Sequence, residues 1–333
     1  MRLSCAAMLF KSIAIISERV LAEKITKTSE KMIADCGMRM TDQRLEASVV
    51  QLKKTPRFGQ RSLIGNLRMV LLISAMAIVT AAFVPFHAYF RWTKHPLRKT
   101  IATKWHRLIC RLFGFKIEVR GRLADGDDHG VLIVANHVSW TDIMILSSLM
   151  PISFVAKDEV KNWPLFGTFA RWQESIFVDR NARANTKQQA LAISGRLMSG
   201  DNIVLFPEGT TSDGNFIYPF KSSLFGALGI GDEILSSPIQ PVSIAYVSQH
   251  GLPMGRFERP LAAWPGDIQL MPHLTRLLRE GHLGVIVSFG DPICIKPSMN
   301  RKDISKEAQH SVAQMTSDAL RGLLPLPTDA KTH

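Results

Sequence analysis

Two hydrophobic regimes divide the chain. From Met69 to Phe90 runs MVLLISAMAIVTAAFVPFHAYF, 22 residues without one Asp, Glu, Lys or Arg. As a helix rising 1.5 Å per residue, this segment spans roughly 33 Å, enough to cross a hydrocarbon layer of about 30 Å. Arg68 and Arg91 close it at its two ends. Pro85 and His87 leave open a shallow, re-entrant course, and a buried core helix is the third reading. A secretory signal peptide would place a shorter apolar stretch near the start, so this one does not fit that role.

Beyond the apolar segment, short β-rich runs alternate with helical ones. The pattern predicts strands at Val131–Ala135, Ile152–Val155, Ser175–Val178, Ile203–Phe206, Pro241–Tyr246 and Val285–Phe289. Helices are expected at Asp142–Leu149, Asn185–Met198, Phe220–Leu228 and Asp303–Leu323. Strands apolar on both faces that alternate with helices imply an α/β fold, with helices layered around a largely buried mixed sheet. The organisation expected is an extension over 1–60, a membrane-spanning or re-entrant helix over 61–95, the α/β domain over 96–300, and a C-terminal helix and tail over 301–333. Residues 1–60 carry no legible chemistry and read as an accessory helix, a tail, or residues ahead of the true start.

Charge sharpens this picture once it is located. The net charge is +13, and residues 51–120 hold fourteen Lys or Arg against Glu118 alone, so the rest of the chain is neutral. A surplus confined to one segment points to a single docking surface for something anionic, and the apolar run inside it makes a membrane surface the fitting partner. Trp92, Trp105, Phe113 and Phe115 lie among these basic residues as aromatic anchors or as core. Nucleic acid is not expected, because no zinc or recognition-helix pattern accompanies the basic run. The four cysteines, Cys5, Cys36, Cys110 and Cys294, form no C-x-x-C pair, which argues against a disulfide framework and a zinc site. His129 beside Asp127 and Asp128 reads as a loop, since three adjacent residues seldom converge on one ion.

Two loops that follow strands gather the polar chemistry. One is Ala135-Asn136-His137-Val138-Ser139-Trp140-Thr141-Asp142, and the other is Phe206-Pro207-Glu208-Gly209-Thr210-Thr211. A histidine can draw a proton from an alcohol near neutral pH, and a carboxylate on its other nitrogen fixes the tautomer. His137 and Asp142 are such a pair. Ser139 to Asp142 is equally an S-x-x-D capping box that opens the next helix, and the two readings are compatible.

NHVSWTD, FVDR at Phe177–Arg180, FPEGT at Phe206–Thr210 and the strand start at Gln240-Pro241-Val242 resemble, in order, the four blocks of the glycerolipid acyltransferases. That resemblance covers roughly residues 95–300. It implies that His137 is the general base for the acceptor hydroxyl, that Asp142 orients it, and that the acyl group passes directly from a thioester without an acyl-enzyme. Backbone N–H groups after Ser139 are the expected oxyanion donors. Glu208, Gly209, Thr210 and Thr211 match the block that lies beside the acceptor headgroup. The family's usual arginine is Thr211 here, which removes a bidentate phosphate clamp and leaves Lys157, Arg180 and Lys221 as the cations for an anionic headgroup.

The resemblance puts 1-acylglycerol 3-phosphate first as acceptor, giving phosphatidic acid, with lyso-ornithine lipid as the alternative because FPEGTTSDGN and PFKSSLF also look like enzymes acting on that phosphate-free lipid. Acyl-CoA or acyl carrier protein would be the donor, and no metal or cofactor is expected. The setting implied is a bacterial inner membrane with the site on its cytoplasmic face. A lipid-binding protein without activity is the non-enzyme alternative, and a thioesterase is disfavoured by the lack of a G-x-S-x-G elbow.

Overall fold

A computed structural model describes residues 63–323, apart from 127, 164–165, 179–185, 227–236, 267–268 and 294–298. The expected extension over 1–60, Arg180, and Asp127 of the loop before His129 therefore lie outside the described residues. The apolar segment is one continuous helix, α1 (Leu63–Trp92), with Pro85 inside it. By length and composition it can cross a membrane. Met69, Leu72, Met76 and Val79, spaced three and four apart, form one stripe packed on the domain core, whereas Leu63, Leu67, Leu71 and Ile78 face outward.

Next come α2 (Leu97–Phe113) and the edge strand β1 (Lys116–Arg120). The chain continues through β2 (Leu132–Ala135), α3 (Thr141–Leu149), β3 (Ser153–Lys157), α4 (Phe166–Trp172) and β4 (Ile176–Val178). It proceeds through α5 (Thr186–Met198), β5 (Ile203–Leu205), α6 (Ser222–Gly226), β6 (Ile239–Gln249) and the short β7 (Leu252–Pro253). It closes with α7 (Leu270–Glu280), β8 (Leu283–Phe289) and α8 (Arg301–Leu320).

The sheet runs β1-β8-β6-β2-β5-β3-β4, with β7 on β6. From β6 to β4 the strands are parallel, while β8 is antiparallel to β6 and carries β1 parallel to itself. Alternation of side chains divides the core. Ile133, Ala135, Val204 and Phe206 face the layer of α1, α2, α3 and α7, while Leu132, Val134, Ile203 and Leu205 face α5, α6 and α8. A sheet covered on both faces explains why its strands read as continuous apolar runs.

All six expected strands and all four expected helices are present, with ends displaced by a few residues where those ends are described; the expected ends at Asn185 and Leu228 lie outside the described residues. Elements outside the expected set include α2, β1 and α7. In α2 the buried stripe is Thr103, His106, Ile109, Cys110 and Phe113, so polar side chains carry part of the helical period. Edge strand β1 reads KIEVR and is mostly exposed. In α7, Pro272 looks like a breaker but sits in the first turn, where no helical hydrogen bond is lost.

Much of the basic segment serves the fold. Arg68 donates through Nη1 to the Leu278 carbonyl at 2.5 Å and through Nη2 to that of Phe113 at 3.1 Å, placing a cation at the carboxyl ends of α7 and α2. Arg107 does likewise for α3, with Nε 3.0 Å from Ser148 O. Arg98 pairs with Glu174 at 3.0 Å, and Lys99 with Asp201. Of the aromatic anchor candidates, Phe113 and Phe115 are buried core, because they lie on the inward face where α2 turns into β1. Trp105 packs on Phe169, while Trp92 is exposed.

Candidate active site

The parallel strands β2, β5, β3 and β4 all end at one edge of the sheet, the edge where open α/β sheets place their ligands. His137 follows β2, Phe206 to Thr211 follow β5, and Lys157 ends β3 there. Chain topology thus brings together blocks about seventy residues apart in sequence. Asn136 closes β2 onto β6: its Nδ2 donates to Ile244 O at 2.9 Å, and its Oδ1 accepts from Ile244 N at 2.8 Å.

His137 and Asp142 are paired, with Nδ1 2.8 Å from Oδ2. Asp142 is fully buried, and the His137 side chain is 18% exposed. Oδ2 also accepts from Val138 N at 2.7 Å and Ser139 N at 2.9 Å. Oδ1 accepts from the Tyr246 hydroxyl at 2.6 Å. One carboxylate therefore holds the imidazole and the two N–H groups ahead of α3, whereas the reciprocal half of the expected capping box is not made: Asp142 N donates to the Ser139 carbonyl rather than to its hydroxyl. With Asp142 acting as acceptor throughout, Nδ1 carries the proton and Nε2 presents its lone pair. The imidazole stacks on Phe206, centroids 4.1 Å apart, which fixes its plane.

Tyr246, on β6, was not singled out by the sequence. It is buried, and burial together with the Asp142 charge holds its phenol well above the usual range, so it stays a donor. Thr141 donates to its oxygen in turn, completing a chain from Thr141 through Tyr246 to Asp142. The only prior signal was an aromatic residue at the end of an apolar strand run, which packing alone would explain.

Glu208 lies beneath the loop. Its Oε1 accepts from His137 N at 2.6 Å and its Oε2 from Tyr218 N at 2.7 Å, so both carboxylate oxygens hold backbone. Burial raises its carboxyl to about 7, against the pull of those two donors. The His137 carbonyl accepts from Ser212 N at 2.8 Å, and that of Val138 from Trp264 N at 2.9 Å. Every backbone group of His137 and Val138 is thereby held. Gly209 adopts φ +71°, a turn conformation suited to glycine.

Thr211 is buried and donates its hydroxyl to the Trp264 carbonyl. Thr210, Lys157 and Lys221 are exposed, and Lys221 N donates to Pro207 O at 3.0 Å. Of the N–H groups after Ser139 expected as oxyanion donors, that of Asp142 donates to Ser139 O at 3.0 Å and that of Thr141 lies 3.5 Å from Ser139 Oγ, while those of Val138 and Ser139 are held by Asp142. The tight helix start needs them for itself.

The sequence profile of the family described as Acyltransferase matches residues 116–245. The chain is 42% identical over 263 residues to a lyso-ornithine lipid O-acyltransferase of Brucella abortus, covering 78% of this chain and 98% of the relative. It is 43% identical over 265 residues to that of Rhizobium meliloti, covering 78% and 89%. A 1-acyl-sn-glycerol-3-phosphate acyltransferase of Neisseria gonorrhoeae is 32% identical over 202 residues, covering 60% and 74%. In three dimensions the chain is similar to the 1-acyl-sn-glycerophosphate acyltransferase PlsC of Thermotoga maritima, with a TM-score of 0.54 at 22% identity, covering 76% and 95%. Sequence likeness over nearly the full length of such relatives, with the same fold beneath a hydrogen-bonded His–Asp pair, means that the chain belongs to the glycerolipid acyltransferase superfamily.

Proposed function

We propose that this acyltransferase moves a fatty acyl group from an acyl thioester to the hydroxyl of lyso-ornithine lipid. His137 Nε2 takes the hydroxyl proton, and the alkoxide oxygen attacks the thioester carbonyl carbon. As that C–O bond forms and the C–S bond breaks, the leaving thiolate receives the proton from the imidazolium. Asp142 supports the transient charge, and Tyr246, Val138 and Ser139 hold Asp142 still. Transfer is direct. Cys110 is buried with its thiol pushed up to about 12, which makes it inert as a nucleophile.

The observation that carries the acceptor is the pairing of 42% identity over 98% of a lyso-ornithine lipid O-acyltransferase with Thr211 turned inward. Position 211 points at a carbonyl inside the domain and offers no cation for a phosphate. This reverses the order of the two acceptors expected from the sequence. The 32% relative from Neisseria keeps 1-acylglycerol 3-phosphate as the second reading.

The donor is acyl-CoA or acyl carrier protein, each a substrate, and no resident cofactor takes part. Both lipids stay in the leaflet, so the site opens at an anionic membrane surface, with α1 and the exposed basic residues holding the domain there. The setting we infer is a bacterial inner membrane, cytoplasmic face. The test supplies purified protein with each lysolipid and a radiolabelled acyl thioester. Lyso-ornithine lipid is the substrate expected to turn over, and His137→Ala is expected to lose about 10²–10⁴-fold of the rate. Turnover of 1-acylglycerol 3-phosphate alone would sink the proposal.

A further inference from the structure

Beside the catalytic loop lies an arginine that the acyl-transfer chemistry does not use. Gly214, at φ +80°, fits between Val138 and Arg259: a Cβ there would lie 3.3 Å from Val138 Cγ1 and 3.8 Å from Arg259 Cβ. The segment bearing Arg259 is fastened to the site by Thr211, which donates to Trp264 O, and by Trp264 N, which donates to Val138 O at 2.9 Å. Position 211, where the family's usual arginine is absent, thus secures the segment that brings another arginine to the same loop.

The geometry of that guanidinium is specific. Nη1 donates to Asn215 Oδ1 at 2.9 Å. Asn215 is itself pinned, with Nδ2 donating to Asp213 Oδ2 at 3.1 Å and to Arg256 O at 3.0 Å. Use of Nη1 leaves the Nε/Nη2 edge, the two parallel N–H groups that match a carboxylate. Nε is buried and meets no acceptor among the described residues. A buried donor without an acceptor is costly unless something else supplies one. Burial lowers the pKa of this guanidinium and the Arg256 charge adds to that, while the Asp213 and Glu258 carboxylates oppose it. Phe216 and Phe257 on the same two loops are exposed, Phe257 by 90%, as suits a rim that dips among lipid chains.

An ornithine headgroup carries a carboxylate and an ammonium but no phosphate, and this cluster has the complementary charges in close array. We propose that Arg259, presented by Gly214 and Asn215 beside the catalytic loop, binds the carboxylate of the lysolipid's amino-acid headgroup in place of the arginine that position 211 lacks. Asp213 and Glu258 then face the ammonium. The assignment rests on the lyso-ornithine lipid reading above.

The experiment compares lyso-ornithine lipid with its carboxylate methyl ester, using the full-length protein and its Arg259→Gln and Arg259→Lys forms. The wild type is expected to prefer the free acid by about 10–100-fold in kcat/KM, the range for a hydrogen-bonded charge pair. Arg259→Gln brings that ratio near one, and Arg259→Lys leaves it between the two, because a point charge replaces a planar fork. Damage to the fold lowers both rates together and leaves the ratio intact. An unchanged ratio in Arg259→Gln, or a wild type indifferent to esterification, overturns the assignment alone. A wild type that acylates neither form but turns over 1-acylglycerol 3-phosphate overturns the function and this site with it.

Discussion

Tyr246 holds Asp142 from the side opposite the imidazole, and its loss separates orientation from packing. Tyr246→Phe keeps the ring in the core but removes the 2.6 Å bond to Oδ1 and leaves the Thr141 hydroxyl without its acceptor. A hydrogen bond to a charged group contributes about 1.5–3 kcal/mol, so kcat should fall about 10-fold or more with KM little changed, as steady-state kinetics will read. Glu208 gives a different signature. Its carboxyl sits at about 7 in the fold, above its ordinary value of 4.5. The folded protein binds that proton more tightly, so the stability it confers is full below about pH 4.5, declines as pH rises to about 7, and is flat beyond. The whole decline is of order 3 kcal/mol. Glu208→Gln lacks this slope. Urea midpoints at about pH 5 and pH 8 should therefore differ more for the wild type than for the variant, over and above the variant's constant loss from turning an amide donor toward a backbone N–H.

At the scale of elements, the described apolar helix is bolted to the domain. Arg68 reaches the ends of α2 and α7 because Gly281 lacks a side chain there. A Cβ at Gly281 would lie 2.1 Å from Arg68 Nη2 and 2.7 Å from Phe113 O, and its φ of +54° is itself unfavourable for other residues. Gly281→Ala should expel the guanidinium and cost about 2 kcal/mol, measured as a fall in the thermal midpoint. In an Arg68→Ala background the same change should cost less, and equal costs would show that the two residues do not communicate. Sequence pattern reveals α1 and the buried strands, whose apolar runs are continuous. It is weaker in α2, whose inward stripe sets Thr103 and His106 beside Ile109, Cys110 and Phe113, because polar side chains within the stripe dilute the hydrophobic period.

Over the whole molecule, the basic surplus has two uses that composition alone does not separate. Arg68, Arg98, Lys99 and Arg107 are turned onto carbonyls and carboxylates of the domain, whereas Lys104, Arg111 and Lys116 are exposed. Reversing the last three to Glu should weaken binding to anionic vesicles at least about 10-fold while leaving binding to neutral ones unchanged, since each basic residue near such a surface contributes about 1 kcal/mol. Equal loss on both vesicle types in a sedimentation assay would remove the electrostatic role. The dyad residues His137 and Asp142, the strands that carry the loops, and the apolar helix were legible in the sequence, because each depends on neighbours within a few positions. Tyr246 over Asp142, Glu208 beneath His137, Thr211 turned toward Trp264 and Arg259 beside Val138 were decided only by tertiary structure. Their partners lie up to a hundred or so residues away along the chain, and only the closing of a parallel sheet, which joins strands distant in sequence at one edge, brings them within hydrogen-bond reach.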